Sequence, residues 1–398
     1  MAKKNVAIII QTLQGGGAER TASNLSECLS KDYNVHLIAF DGKNIKYPYQ
    51  GKLYDLKLPP TENKIRKLIT AIKRIQAVRR IKKENHIAAS ISLMDGANLI
   101  NVLSKKRETV ITSVRIQMSS SRFKTPLMKR CNINLMQMIG RRSDYVVALS
   151  QGVNDDLVLN FGLAPKKVVT IYNPCDGELL KQKALIHMQD ASHMPEQSIV
   201  TMGRATEQKG QWHLIRAFSL VLQKSPHAHL YILGDGPLKE KLKQLSQDMG
   251  INERVHFMGF VEAPHAYIMK SKLFVFPSLY EGLGNALLEA MSCGTPCIAA
   301  DCYSGPREIL APGTKVKETL DSVEYAQYGI LTSVCDKGHF NAEDPLTAGE
   351  KQLADAIVEM LTSEETYKRY REAAMQRIKD FTPEKITGDW KSLIENPK

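Results

Sequence analysis

SIVTMGRATEQKGQ, Ser198 to Gln211, starts as an apolar run, stops at a glycine and continues into a charged loop before a helix pattern. Read as the opening strand of a second α/β layer, it divides the 398-residue chain in two. A matching run, NVAIII at Asn5 to Ile10, opens the first half. After each opening come apolar strands alternating with amphipathic stretches. They are NVHLIAF, HIAASISL, TVITSV, YVVALS and VVTIYN in the first half, and HLYILG, LFVFPS and PCIAA in the second. Strand, helix, strand in alternation argues for parallel sheets in two α/β domains. The length agrees with two domains, and the 43% hydrophobic content suffices for two cores. Pro174 to Gln197 is polar and weakly periodic, and reads as the connection between the domains. No fixed-period repeat is visible.

The formal charge of +12 is unevenly spread. Residues 1–175 hold 29 Lys and Arg against 12 Asp and Glu, a net +17, while the remainder holds 25 against 30, a net −5. A cationic half suggests a polyanionic partner, either nucleic acid or an anionic membrane. Two segments carry much of it. In Asn63 to His86, Ile65, Leu68, Ile69, Ile72, Ile75 and Val78 recur at helical spacing with Lys and Arg between them. Arg122 to Arg142 is similar, with Met128, Ile133, Leu135, Met136 and Ile139. Each has two readings: a core-facing helix with a solvated basic face, or a peripheral membrane face attracting anionic lipid. The first apolar run is too short for a signal peptide, and no stretch approaches the roughly 20 residues of a membrane span. Seven irregularly spaced cysteines suit a reduced, cytosolic protein; Cys293, Cys297 and Cys302 lack the partners of a zinc site.

YEGLGNALLEAMSCGTP, Tyr280 to Pro296, carries the most chemistry. Asn285 to Met291 reads as a helix opening behind Gly282 and Gly284. Such a start offers backbone N–H groups and a positive dipole end to a phosphate. Glu281 and Glu289 would repel that phosphate, so they make sense if they reach neutral hydroxyls, as on a ribose and a sugar. QGGGAER, Gln14 to Arg20, gives the first half its own glycine-opened helix. It is neither a GxGxxG fingerprint nor a Walker loop; a plain tight turn is its alternative reading. In GRATEQKGQ, Arg204 and Lys209 follow a strand at the edge where open α/β sheets bind ligands, as phosphate ligands or as solvated surface charge. LGDGPLKEKL, Leu233 to Leu242, reads alone as a turn.

Together GGAER, GRATEQKG, LGDGPL, PSLYEGLGNALLEAMSCGTPCIA and SGPREIL resemble the retaining glycosyltransferases of family 4, and SGPREIL leans toward their bacterial surface-polysaccharide branch. The resemblance runs from Asn5 to about Trp390. It implies a GT-B fold, two Rossmann-like domains with parallel sheets facing across a cleft. Residues 1–175 would bind the acceptor, 176–379 the nucleotide-sugar, and 380–398 would cross back to the first domain, with Phe381 and Trp390 as packing anchors. Arg204 and Lys209 would hold the donor's diphosphate, joined by backbone N–H groups of Leu283, Gly284 and Asn285. Glu289 would accept from ribose hydroxyls and Glu281 from the donor sugar. Phe260 and Val261 would border the base. Gly16 and Gly17 would face the phosphates from the other domain.

The implied reaction moves a hexose or N-acetylhexosamine, with retention, from a nucleotide-sugar, UDP-linked in the leading reading, to a lipid-linked saccharide at the inner membrane face. No resident cofactor is expected, since the nucleotide-sugar is a substrate. No catalytic metal is expected either, because no Asp-x-Asp follows a strand and Asp155-Asp156 reads as the start of a helix. One departure stands out. Where many family members carry a histidine, this chain reads SISLMDGANLIN, with Asp95 as its one ionisable residue. Asp95 would orient the acceptor hydroxyl, or cap the helix starting at Gly96 or Ala97. Arg115 would meet an acceptor phosphate, or form a structural salt bridge. An epimerase of the same architecture fits less well, lacking an obvious acid–base set in the first domain. Nucleic acid is not expected as a partner, because the basic stretches are aliphatic rather than interleaved with stacking aromatics.

Overall fold

The computed structural model describes residues 3–119, 125–314, 320–336, 338 and 340–396. Arg122, within the second basic segment, lies outside them. The chain divides into two units, Met1–Pro174 with Pro383–Lys398, and Cys175–Thr382.

In the first unit, continuous apolar runs become strands covered on both faces, as parallel sheets require. The strands are β1 (Asn5–Ile10), β2 (Asn34–Ala39), β3 (Lys52–Asp55), β4 (Ala89–Leu93), β5 (Thr109–Val114), β6 (Tyr145–Ala148) and β7 (Val168–Thr170). Between them lie α1 (Gly17–Ser30), α2 (Lys64–Glu84), α3 (Asp95–Leu103), α4 (Pro126–Arg142) and α5 (Gln151–Leu159). The sheet runs β3-β2-β1-β4-β5-β6-β7, with every pairing parallel. The strand order reverses between β1 and β4.

One local expectation needs correction, and two basic helices divide along their length. Helix α5 begins at Gln151, because Ser150 caps it through the Val153 N–H. Asp155 and Asp156 therefore lie inside the helix, not at its start. Asp156 is buried and accepts from the backbone N–H groups of Met118 and Ser119, at 2.9 and 3.1 Å. The apolar stripe of α2 turns inward only toward its C-terminal end, where Val78 and Ile81 are buried. Its N-terminal half leaves Ile65, Leu68, Ile69 and Ile72 exposed, among exposed Arg66, Lys67 and Lys73. Helix α4 behaves likewise: Met136 and Ile139 are buried, whereas Leu127 and Met128 are exposed.

The second unit contains β8 (Ser198–Met202), β9 (His229–Leu233), β10 (Val255–Gly259), β11 (Leu273–Phe276), β12 (Cys297–Ala300), β13 (Glu324–Tyr325) and β14 (Ile330–Thr332). Its helices are α6 (Gly177–Ile186), α7 (Gln211–Lys224), α8 (Lys239–Asp248), α9 (Pro264–Lys270), α10 (Asn285–Ser292), α11 (Pro306–Leu310), α12 (Ala348–Thr362) and α13 (Glu364–Arg377). The sheet order is β10-β9-β8-β11-β12-β14-β13, parallel except for the β13–β14 pair. The segment read as a connection is instead part of this unit. Asp176 caps α6 through the Leu179 N–H, and Leu180, Ala184, Ala191 and Met194 are buried. These apolar residues are too few and too widely spaced to signal a helix beside so many polar neighbours.

The last helix, α14 (Pro383–Glu395), belongs to the first unit. Ile386, Trp390, Leu393 and Ile394 are buried with Leu25, Leu29 and Tyr33 in one core cluster. The Tyr33 hydroxyl donates to Glu395 at 2.8 Å. Phe381, fully buried, ends the second unit, and its carbonyl accepts from the Cys175 N–H at 2.7 Å.

Candidate active site

Open α/β sheets bind ligands beyond the carboxyl ends of their strands, where strand order reverses. In the second unit this point lies between β8 and β11. The loops that follow these two strands carry Arg204, Lys209, Glu281, Leu283 and Gly284. Leu279 N–H donates to the Gln208 carbonyl at 2.8 Å, and Gln208 Nε2 to the Tyr280 carbonyl at 3.0 Å, stitching the loops together.

Lys209 and Glu281 form the centre of this group. Lys209 Nζ lies 2.6 Å from Glu281 Oε1 and 5.2 Å from the centroid of the Phe276 ring. Both side chains are mostly buried, so the ion pair is shielded from solvent more than a surface pair is. Arg204 is exposed, and its guanidinium has no hydrogen-bond or ion-pair partner among the described residues. Helix α10 opens behind Gly284, in the left-handed conformation at φ 96°, and no side chain caps it. Its dipole end therefore opens from the loop that holds Glu281, the partner of Lys209. Glu289, one turn further along α10, is buried and lies 3.0 Å from His265 Nε2 on α9. Each of the two glutamates thus has its own partner, a lysine for one and a histidine for the other. Phe260, 86% exposed, and half-buried Val261 follow β10 at the same edge of the sheet.

Two motifs that carried no role of their own act as braces. In LGDGPL, the Asp235 carbonyl accepts from the Ala205 N–H at 3.0 Å, next to Arg204. In SGPREIL, Ser304 Oγ donates to the carbonyls of Glu281 and Gly282, at 2.9 and 3.0 Å. A Cβ on Gly305 would stand 2.1 Å from the Leu283 carbonyl oxygen, so the absence of a side chain lets the two backbones meet. Arg307, buried, donates to Asp301 and Glu324 and anchors the brace.

In the first unit the strand order reverses between β1 and β4. Gly16 and Gly17 follow β1; Gly16 is the N-cap of α1, which has no side-chain cap. Met94 and Asp95 follow β4. The expectation that Asp95 caps α3 is overturned: the helix starts at Asp95 itself and Met94 occupies the cap position, at φ 77° and ψ 153°. That backbone region is almost exclusive to glycine and costs a side-chain-bearing residue about 1–3 kcal/mol. The Asp95 side chain reaches solvent, yet the protein around it disfavours its charged form and raises its pKa. Arg115 follows β5. It has no carboxylate partner among the described residues, contrary to the salt-bridge reading, because its neighbours are neutral. It donates to Ser113 Oγ at 3.3 Å, Thr21 Oγ1 at 3.2 Å and Asn173 Oδ1. Burial pushes its pKa down to about 9. The predicted residues therefore form two groups, one in each unit.

His265 is the residue that sequence reasoning missed. It lies 24 positions from Glu289, in a different helix, and no spacing links them.

Comparison with known proteins agrees with this geometry. Residues 15–179 match the model described as Glycosyltransferase Family 4, and residues 183–324 match Glycosyl transferases group 1. An uncharacterized glycosyltransferase of Methanocaldococcus jannaschii is 44% identical over 199 residues, 49% of either chain. A Campylobacter jejuni enzyme named as an N-acetylgalactosaminyltransferase acting on a diphospho-undecaprenol-linked saccharide is 27% identical, covering 97% of this chain and 98% of its own. The crystal structure of Anabaena HepE in complex with UDP superposes with a TM-score of 0.75 at 18% identity, over 98% of this chain and 99% of that one. Matched in both halves, and wound in both sheets as that fold requires, the chain belongs to the family 4 glycosyltransferases of GT-B fold.

Proposed function

We propose that this chain transfers a hexose or N-acetylhexosamine, with retained configuration, from a UDP-linked donor to a lipid-linked saccharide in surface-glycan synthesis. The observation that carries this reading is the Lys209–Glu281 pair, whose glutamate lies in the loop that leads into the uncapped start of α10. Cations and helix dipole together suit a diphosphate, and the paired carboxylate suits a sugar hydroxyl. The UDP named in the HepE complex and the lipid-linked acceptor in the Campylobacter enzyme's name support the choice of substrates. In the transfer step the bond from the sugar's anomeric carbon to the diphosphate oxygen breaks and its electron pair leaves with the diphosphate, while a bond to the acceptor oxygen forms and that hydroxyl's proton passes to the leaving diphosphate. Arg204 and Lys209 stabilise the charge left on the nucleotide, in place of a metal. Asp95, whose charged form the surrounding protein disfavours, orients the acceptor hydroxyl, and Arg115 meets an acceptor phosphate.

Calorimetric titration with UDP, GDP and ADP, in the presence of a chelator, tests this. UDP should bind, and Arg204→Ala should weaken it about tenfold or more, the worth of a lost charge-assisted hydrogen bond. No binding at millimolar concentration, or binding that needs a divalent metal, would overturn the reading.

A peripheral attachment to an anionic membrane, at its inner face, belongs to the same proposal. Exposed Ile65, Leu68, Ile69 and Ile72 among Arg66, Lys67 and Lys73 support it. Among the described residues no helix is long and apolar enough to cross a membrane. The protein should co-sediment with phosphatidylglycerol vesicles at low salt, and Ile65→Ser with Leu68→Ser should release it. Recovery of the unmodified protein in the supernatant at low salt would count against attachment.

A further inference from the structure

We infer that His265 is a positioning residue for the nucleotide's ribose, acting through Glu289; this rests on the donor-site reading above. Glu289 and His265 are each 8% exposed, and His265 Nε2 stands 3.0 Å from Glu289 Oε2. An ionised carboxylate only accepts, so Nε2 carries the hydrogen and donates it. That bond selects one rotamer of a long, flexible side chain and the plane in which its carboxylate lies. A carboxylate held in plane meets two adjacent hydroxyls with defined geometry; an unrestrained one does not.

The histidine is itself held. It is the second residue of α9, directly after Pro264, whose ring fixes the backbone at the helix start. The Cys293 thiol, just past the end of α10, donates to the His265 carbonyl at 3.8 Å. Thr295 Oγ1 donates to the Ile268 carbonyl at 2.8 Å. Helix α9 is thereby tied to the segment that follows α10, which fixes the backbone that carries the imidazole. None of these residues needs to touch the ligand. Their arrangement converts the packing of two short helices into the orientation of one carboxylate.

A structural role and a positioning role differ in which nucleotide they affect. Calorimetry should measure UDP and 2′,3′-dideoxy-UDP on the full chain, for the natural protein and for Glu289→Ala, His265→Phe and His265→Gln. The natural protein should prefer UDP by at least tenfold, and Glu289→Ala should abolish that preference. His265→Phe should cut it about three- to tenfold while leaving dideoxy-UDP affinity unchanged. His265→Gln, whose amide can donate in place of Nε2, should restore it. Should His265→Phe keep the full preference while Glu289→Ala loses it, the donor site stands and the role of His265 falls. A loss falling equally on both nucleotides would likewise overturn it, because packing damage makes no such distinction. If the natural protein shows no preference, or Glu289→Ala retains one, the ribose role of Glu289 fails and the inference with it.

Discussion

Lys209→Met should lower transfer about 100- to 1,000-fold, the size of effect seen when one preorganised donor to a developing negative charge is removed. Methionine keeps the apolar stem that lies along Gly203, so the change isolates the ammonium. Two consequences follow from the 2.6 Å contact with Glu281. The leaving diphosphate loses a counter-charge, and a mostly buried carboxylate loses its partner. The second effect should cost about 1–3 kcal/mol of stability, as for other buried groups left unsatisfied. Adding Glu281→Gln removes the orphaned charge. The double variant should therefore regain most of the lost thermal stability without regaining turnover. Nucleotide release from the donor, measured beside thermal unfolding, separates the two. A fall of less than tenfold in the single variant would mean that Arg204 and the start of α10 carry the charge without it.

Gly305→Ala should be strongly damaging although it removes no charge. The glycine sits at φ 97°, where a side chain is strained, and its Cβ would lie 2.1 Å from a backbone oxygen. A flexible side chain could move aside, but the Leu283 carbonyl can move only by displacing the loop that holds Glu281 and Gly284. Stability should fall by about 2–4 kcal/mol, within the range of strain and overpacking effects. UDP affinity should fall at least tenfold with it. Gly388→Ala is the control: nothing lies within 4 Å of the added Cβ, on helix α14. That change should be neutral, or stabilise by up to about 1 kcal/mol. Equal effects at the two positions would show that SGPREIL does not brace the loop.

Burial explains what could be read in advance. Strands such as NVAIII and LFVFPS are covered on both faces, so their apolar runs are unbroken and their order follows from alternation with helices. β3, KLYD, escaped notice because it is an edge strand with no fully buried residue. β13 and β14 have two and three residues, too few to show a period. In the site, the charged and glycine residues of each loop were visible because one local element holds them. The braces were present as motifs without meaning: what Gly305 does depends on Leu283, and Ser304 on Glu281, and only folding brings them together. His265 gave no sign at all, since its importance lies in a contact across 24 residues. The exposed half of α2 shows why two readings stayed open there, for helical spacing reports amphipathicity without saying which solvent the apolar face meets.

The return of α14 to the first unit has a consequence for synthesis. In connectivity the first unit is a host, interrupted after Pro174 and resumed at Pro383, and the second is a guest inserted into it. The guest's ends meet through the Cys175–Phe381 hydrogen bond, so its chain closes on itself. Domains fold as units while the chain emerges from the ribosome. The guest is contiguous and can finish as soon as its last residues appear. The host begins first but waits for Trp390 to complete its core, so the order of completion is the reverse of the order of synthesis.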